Sequence, residues 1–159
     1  MRTTSCSDSI RSWLSEQGIE ESRDSLIEGG RELRRRGGAG ILAEMLLESL
    51  NGEDAVIDSI RTPGEVEVLR KRSDFVLIEI RAGLDSRWKR SQDRGRIGDP
   101  TEKERFLAQE EAEEVASDEA GQALNATAAL SDLVIINEAG IEELYSDLED
   151  LWPTLTKLA

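Results

Sequence analysis

Two groups of arginines are the residues of this sequence best suited to bind a phosphate. In the first group, Asp58 and Arg61 fall at the carboxyl end of a predicted strand, where ligands of open parallel sheets bind, and Pro63-Gly64 forces a turn there. An arginine guanidinium binds phosphate oxygens through paired hydrogen bonds, and an aspartate holds Mg²⁺ through water or orients an acceptor group. The structural alternative, in which Asp58 caps the turn and Arg61 is solvated, is equally compatible with the local pattern.

The second group is a stripe of arginines on a predicted helix. Arg87, Arg90 and Arg94 are three and four residues apart, so they share one helical face, and Arg96 follows in a loop. Like charges on one face repel each other unless an anion neutralises them, and we favour a bound phosphate as that anion. The internal carboxylates that offer an alternative are those of Asp85, Asp93, Glu113 and Glu114.

Two further positions are candidates for ligand contact. Arg34 belongs to the run Arg34–Arg36 at the end of a predicted helix, where the alternative is a solvated helix end stabilised by the helix dipole. That alternative suits Arg35 and Arg36 better than Arg34. Asn137 lies at the end of a predicted strand, and it either contacts a base edge or caps the last helix.

The composition excludes several classes of chemistry. The 159 residues include no histidine, which removes His-dependent catalytic triads, His-ligated zinc and haem, and His proton relays. The single cysteine, Cys6, rules out an internal disulfide and suits a reducing cytosol. The acidic run Glu110–Glu114 lacks metal-ligand spacing and is predicted to be a solvated helix face, so we predict no metal site made by the protein alone.

The charge of the chain is unevenly distributed. Residues 1–105 carry 19 Lys and Arg against 21 Asp and Glu, whereas residues 106–159 carry one Lys against 13 acids. The formal net charge of −14 argues against binding to nucleic acid or to an anionic membrane, because both require a basic surface. No apolar run approaches the length of a membrane span and the first residues carry no secretion signal, so we expect a cytoplasmic protein.

Predicted strands alternate with predicted helices along the chain. Apolar runs predict strands over 55–60, 75–82 and 133–138, and the segment 75–78 is expected to be buried on both faces. The helices indicated by apolar spacing and caps are 7–18, 22–36, 40–50, one starting near Gly64, 84–94, 101–116 and 141–152. This alternation is typical of an α/β fold with a parallel sheet, and the length suits a single domain, 1–159.

The order of these segments resembles a known family. The segments that carry the resemblance are ELR at 32–34, VIDSIRTPGEVEVLR at 56–70, FVLIEIRA at 75–82, RWKRSQDRGRIGDP at 87–100 and SDLVIINEAGIEEL at 131–144. Together they resemble the P-loop nucleotide-kinase-like proteins, in particular the dephospho-CoA kinase-like and nucleoside-monophosphate-kinase-like group, which includes a branch common in archaea. The resemblance covers residues 5–150 and implies a three-layer P-loop NTPase-like domain, a parallel sheet flanked by helices.

The resemblance implies phosphoryl transfer from ATP, with Mg²⁺, to a nucleotide or a dephospho-CoA-like acceptor. Asp58 would be catalytic and would bind the acceptor together with Arg34 and Arg61, within a helical acceptor-binding region at 20–50. The arginines of an implied lid at 84–105, which would contact the ATP phosphates, are Arg87, Arg90, Arg94 and Arg96. Arg90 and Arg94 would also be catalytic, and Asn137 would lie beside the adenine.

One feature of the family is absent from the sequence. Such proteins open with a strand and a loop of the form GxxxxGK[ST], which cradles the phosphates, and none of the four lysines here follows a glycine. We therefore expect the first strand and the phosphate loop to be missing and the chain by itself to be inactive. A truncated kinase is the favoured explanation because both sets of arginines are present. The alternative is a non-catalytic nucleotide- or anion-binding or protein-interaction module.

Overall fold

The computed structural model describes residues 1–95, 99–115 and 120–158. Its strands are β1 (Arg2–Ser5), β2 (Ala55–Asp58), β3 (Ile78–Arg81) and β4 (Leu133–Ile136). Its helices are α1 (Cys6–Glu16), α2 (Arg23–Gly37), α3 (Ile41–Leu50), α4 (Pro63–Leu69), α5 (Leu84–Arg94), α6 (Lys103–Glu114), α7 (Leu124–Ala128) and α8 (Ile141–Leu158). Helices alternate with parallel strands, so the prediction of an α/β protein is confirmed. Within these ranges no helix combines the length and the apolar character needed to cross a membrane.

The parallel strands form two separate pairs rather than the single sheet that the sequence predicted. β1 pairs with β2, with Ser5 opposite Asp58, and β3 pairs with β4, with Arg81 opposite Ile136. Among the described residues, no ladder of hydrogen bonds joins one pair to the other. Within the described ranges each strand thus pairs with a single neighbour, and apolar side chains stay partly exposed, as at Ile80 (54%). The expected burial of 75–78 on both faces is wrong, because only Leu77 is buried there.

The main hydrophobic core lies in the N-terminal half of the chain, by which we mean β1 to α4. The core joins α1, α2 and α3 to one face of the first strand pair, and its buried members are Cys6, Ile10, Leu14, Leu33, Leu42, Leu46 and Leu50. Helix α2 continues through Gly29-Gly30 and packs closely on α1 there, since a Cβ at Gly29 would lie 3.0 Å from Ile10 Cγ2. This tight packing fixes α2, and with it Arg34, against the body of the domain.

The C-terminal half, by which we mean residue 77 to the end of α8, has a much smaller core in the described ranges. Most of the buried apolar residues in the described ranges lie before residue 70, and those of the C-terminal half are Leu77, Phe106, Ala120 and Ile135. Two links join the halves near β3 and β4. Phe75 packs against a second cluster formed by Ala43, Val68 and Leu69, and Arg70 donates to Asp132 Oδ1 at 2.9 Å.

Candidate functional site

The carboxyl end of β2 presents Asp58 to solvent through an unusual turn. Asp58 is exposed and its Oδ1 accepts a hydrogen bond from Ser59 Oγ at 2.9 Å. Ser59 has a φ of +59°, in the left-handed region that residues other than glycine seldom adopt. Ligands of open parallel sheets bind beyond the carboxyl ends of the strands. The predicted position of Asp58 at that edge is therefore confirmed, whereas its chemistry stays a prediction.

The next turn of the chain is fixed by a carboxylate that the sequence analysis did not single out. Thr62 is the N-cap of α4, and Glu65 completes a capping box with it. Glu65 is 0% exposed, and its Oε2 accepts the backbone N–H groups of Arg61 at 2.7 Å and Thr62 at 3.2 Å. The spacing Thr62-Pro63-Gly64-Glu65 is the capping-box signature, so a closer look at the sequence would have found this role.

Arg34 lies beneath this turn rather than on the surface. Its side chain is only 4% exposed, and one guanidinium nitrogen donates to Glu65 Oε1 at 2.9 Å. Its Nε is buried and, among the described residues, has no hydrogen-bond partner. The structure thus assigns Arg34 a buried ion pair, and direct contact with an acceptor phosphate remains a prediction. Arg35 and Arg36 pair with Glu32 at the exposed end of α2, as the solvated alternative has it.

Cys6 packs close to the same ion pair. Burial raises the pKa of the Cys6 thiol, the carboxylate of Glu65 raises that pKa further, and Arg34 partly offsets both effects. The thiol therefore stays protonated at neutral pH, and Cys6 acts as a buried apolar residue rather than as a nucleophile.

Helix α5 has the predicted bounds, and its three arginines reach three different partners. Arg87 donates to Glu110 Oε2 at 2.8 Å and to the Ala82 carbonyl at 2.6 Å. Arg90 donates to the carbonyl oxygens of Asn137 and Ala139, at 2.8 and 2.9 Å. Arg94 donates to Asp99 Oδ2 at 2.8 Å. Arg87 and Arg94 are therefore neutralised from within the protein, by carboxylates other than those expected, whereas Arg90 binds backbone carbonyl oxygens. Arg96 lies outside the described residues.

Helix α6 is where arginines from both halves of the chain meet. Glu113 accepts hydrogen bonds from Arg61 at 3.2 Å and from Arg23 at 3.3 Å, and one turn earlier Glu110 binds Arg87. The prediction that the acidic run is a solvated face is therefore wrong for Glu110 and Glu113, which are half-buried.

We call this group the arginine cluster. Its cations are Arg23, Arg61, Arg87 and Arg94, and its carboxylates are Asp99, Glu110 and Glu113. The four guanidinium groups exceed the three carboxylates by one positive charge, in a chain whose net charge is −14. A local excess of arginine in an acidic protein is a feature that favours small anions over extended polyanions. Sequence reasoning missed Arg23, since its partners Asp99 and Glu113 are distant in the chain.

The predicted adenine-side residue lies at the corner between β4 and α5. Asn137 is half-buried, its backbone N–H donates to the Arg81 carbonyl at 2.7 Å, and its own carbonyl accepts from Arg90. Neither contact involves its side-chain amide, so the prediction that Asn137 reads a base edge stays untested. In the described part of the chain no three acidic or cysteine side chains are grouped as metal ligands.

Glu138 caps the start of α5 from the neighbouring strand. Its carboxylate accepts a hydrogen bond from Ser86 Oγ at 2.6 Å and another from the backbone N–H of Gly83. The bond from Ser86, then that from Gly83, hold the pKa of Glu138 below its ordinary value, and Arg90 and Arg87 contribute in the same direction. This carboxylate fixes the end of β4 to the start of the arginine-bearing helix.

We expect the contribution of Glu138 to stability to depend on pH. Because its folded-state pKa is lowered, the unfolded chain binds a proton more readily, so the contribution is present above the ordinary glutamate pKa and is lost as the pH falls through the folded-state value. The difference in stability between wild type and Glu138→Gln, measured by urea unfolding, should shrink from about pH 6 to about pH 3. The same comparison made with Ser86→Ala present should show less pH dependence. A difference that stays constant over this range would contradict the assignment.

Comparison with known proteins identifies relatives along most of the chain. A UPF0200 protein of Hyperthermus butylicus is 30% identical over 152 residues, covering 94% of this chain and 78% of that protein. The chain belongs to the UPF0200 family. A UPF0200 protein of Methanosarcina mazei is 30% identical over 149 residues, covering 91% of this chain and 76% of that protein. The relatives are archaeal, which agrees with the archaeal branch named in the resemblance.

One of the UPF0200 matches is shorter. The UPF0200 protein of Staphylothermus marinus is 31% identical over 124 residues, and the match spans 77% of this chain but 62% of that protein. No family model matches the chain. The family membership thus rests on similarity to UPF0200 proteins over most of the chain, and the names of these relatives state no substrate or reaction.

Proposed function

We propose that the protein binds a phosphorylated, nucleotide-like small molecule at the arginine cluster, as part of ATP-dependent phosphoryl transfer to a nucleotide or a dephospho-CoA-like acceptor. The observation that supports the proposal is that Arg61 and Arg87 bind two neighbouring carboxylates of α6, those of Glu113 and Glu110. The sequence suggested these arginines separately, one from an acceptor-side motif and one from an ATP-side helix. Their convergence supports a composite site for anionic groups that belong to one ligand or to two neighbouring ligands.

The chemistry of phosphoryl transfer suits the residues that are present. Such transfer depends on positioning and on neutralising phosphate charge, and arginines together with Mg²⁺ provide both without histidine. Asp58 is the exposed carboxylate at the strand edge, and Mg²⁺ in phosphate sites is commonly held by one or two carboxylates and by the phosphates themselves. We therefore assign Asp58 the role of holding Mg²⁺, which would neutralise the transferred phosphate, while Arg61, Arg87 and Arg94 orient the anionic groups.

Binding without chemistry is the second candidate function. The observation that favours it is that GxxxxGK[ST] does not occur in the 159 residues, so this chain has no lysine placed to bind the β- and γ-phosphates in the usual way. Transfer of phosphate from Mg·ATP to dephospho-CoA or to AMP, followed by chromatography of the products, tests for the kinase. Product formed by this chain would establish the transfer, whereas binding without product is expected both of the non-catalytic module and of a kinase without its phosphate loop.

We expect Arg61→Ala and Arg87→Ala each to weaken the binding of Mg·ATP by about tenfold to a hundredfold, because each removes charge-assisted hydrogen bonds contributing about 1.5–3 kcal/mol. Calorimetric titration measures this, once circular dichroism has shown that each variant folds. Arg11→Ala is a matched control, since it removes an exposed arginine that pairs with Asp8 and Glu21 on α1 and the loop after it. Unchanged affinity in both cluster variants would show that the ligand binds elsewhere.

A further inference from the structure

The carboxylates of α6 occupy the positions where an anionic ligand would bind the arginine cluster. Glu110 and Glu113 point to the arginines and are half-buried, whereas Glu111 and Glu114 on the same helix are exposed. Each inward carboxylate lies within hydrogen-bond distance of a guanidinium group, at 2.8 Å for Glu110 and 3.2 Å for Glu113. The helix thus supplies two anions to the site.

Among the described residues, the other contacts of α6 include an exposed ion pair, in which Lys103 donates to Asp85 Oδ1 at 2.8 Å, and one buried aromatic ring. Phe106 is the buried residue of the helix, and its ring packs on Trp88 of α5 with centroids 5.2 Å apart. The N-cap residue Glu102 makes no side-chain capping bond. The ion pairs to Arg61 and Arg87 are partly exposed on both sides, and pairs of that kind contribute little, about 0–1 kcal/mol each. A modest competitor is therefore sufficient to replace them.

A polyphosphate is a stronger partner for these arginines than two carboxylates. A phosphate group offers several acceptor oxygens and more than one negative charge, and it binds a guanidinium through two parallel hydrogen bonds. Glu110 and Glu113 are three residues apart on one helical face, which places them about 5–6 Å from each other. A ligand that replaces both therefore needs at least two linked anionic groups, as in a di- or triphosphate chain.

We propose that the carboxylates of α6 occupy the arginine cluster in the free protein, and that a ligand carrying a di- or triphosphate chain displaces α6 when it binds. The inference rests on the proposed function and adds the ligand class and the regulation of the same site. In the free protein the arginines are neutralised and held in place by Glu110 and Glu113. On binding, phosphate oxygens replace the two carboxylates as hydrogen-bond acceptors of Arg61 and Arg87. Repulsion between the phosphates and the released carboxylates then moves α6 away.

The test compares two double variants that change the net charge equally. Glu110→Gln/Glu113→Gln removes the internal anions, and Glu111→Gln/Glu114→Gln removes two exposed charges from the same helix. Inorganic tripolyphosphate is the probe, titrated calorimetrically at about 0.15 M salt, where long-range charge effects are screened. We expect the first variant to bind at least about tenfold more tightly than wild type, and the second to differ from wild type by less than about twofold.

Hydrogen exchange gives a second, independent measurement. In wild type, tripolyphosphate should lower the protection of the backbone amides of α6, because the helix leaves its partners. Protection of α6 that rises on binding would overturn the inference, since the ligand would then bind against α6 rather than replace it. Equal affinities of wild type and both double variants would also overturn it while leaving the proposed anion site intact. Failure of all three proteins to bind tripolyphosphate would overturn the site itself.

Discussion

Replacing Glu65 by glutamine is expected to lower the free energy of unfolding by about 3–5 kcal/mol, the range for breaking a buried ion pair by removing one partner. The side chain of Glu65 is fully buried, and its two oxygens accept hydrogen bonds from Arg34 and from the backbone N–H groups of Arg61 and Thr62. A glutamine amide would turn an NH₂ group toward one of these donors and would leave the Arg34 guanidinium charged and unpaired.

Urea unfolding of wild type, Glu65→Gln, Arg34→Met, their double variant and Glu67→Gln measures this effect. Glu67→Gln is the matched control, because Glu67 is exposed on the same short helix, and we expect a change within about 0.5 kcal/mol. The double variant Arg34→Met/Glu65→Gln should lose less than the sum of its single changes, because no buried charge is then left without a partner. Equal losses for Glu65→Gln and Glu67→Gln would show that the ion pair contributes nothing to stability.

The Arg34–Glu65 pair also connects stability to the candidate site. Glu65 holds the backbone of Arg61, and Arg34 holds Glu65 from α2, so the position of the Arg61 side chain depends on a helix distant in sequence. A change at Arg34 that weakens ligand binding therefore has two explanations, lost phosphate contact or displaced Arg61. Glu65→Gln helps to separate them, since it disturbs the backbone of Arg61 while leaving the Arg34 guanidinium in the protein.

The helices could be predicted well because their signals are local. The arginine-bearing helix was predicted over 84–94 and α5 has those bounds. Strand β1 was not predicted, because Arg2–Ser5 contains no apolar residue and its backbone alone makes the ladder to β2. The last helix was predicted to end at residue 152 but continues to Leu158, since Pro153 is accommodated within it. At these two places the intrinsic preferences of the residues are outweighed, by the backbone pairing of β1 with β2 and by the length of α8.

The position of Asp58 and Arg61 could be predicted, whereas the cluster around Arg61 could not. A residue that follows an apolar strand lies at its carboxyl end, which is a local rule. The partners of Arg61 and Arg87 are 52 and 23 residues away, and they depend on how α6 packs against α5 and the β2–α4 turn. The sequence alone does not distinguish the inward Glu110 and Glu113 from the outward Glu111 and Glu114. Only the packing of α6 makes them different.

Leu46→Ala is expected to lower the free energy of unfolding by about 2–5 kcal/mol, because the leucine is only 2% exposed at the centre of the main core. Leu107→Ala makes the same change at a residue 37% exposed on α6 and should cost about 1 kcal/mol or less. Urea unfolding gives both values, and hydrogen exchange shows where the loss falls. The amides of α1 to α4 should exchange faster in Leu46→Ala, and equal losses in the two variants would contradict this account of the core.

The unequal cores give the arginine cluster a further consequence. Arg61 belongs to the well-packed N-terminal half, and Arg87 belongs to the C-terminal half, where few apolar residues are buried. A ligand that binds both arginines stabilises the bound arrangement by RT ln(1 + c/Kd), where c is the ligand concentration and Kd its dissociation constant. Leu46→Ala loosens the half that positions Arg61, so it should also weaken Mg·ATP binding, whereas Leu107→Ala should not. A core residue such as Leu46 thus affects ligand binding indirectly, because the packing of the N-terminal half holds Arg61 in position beside Arg87.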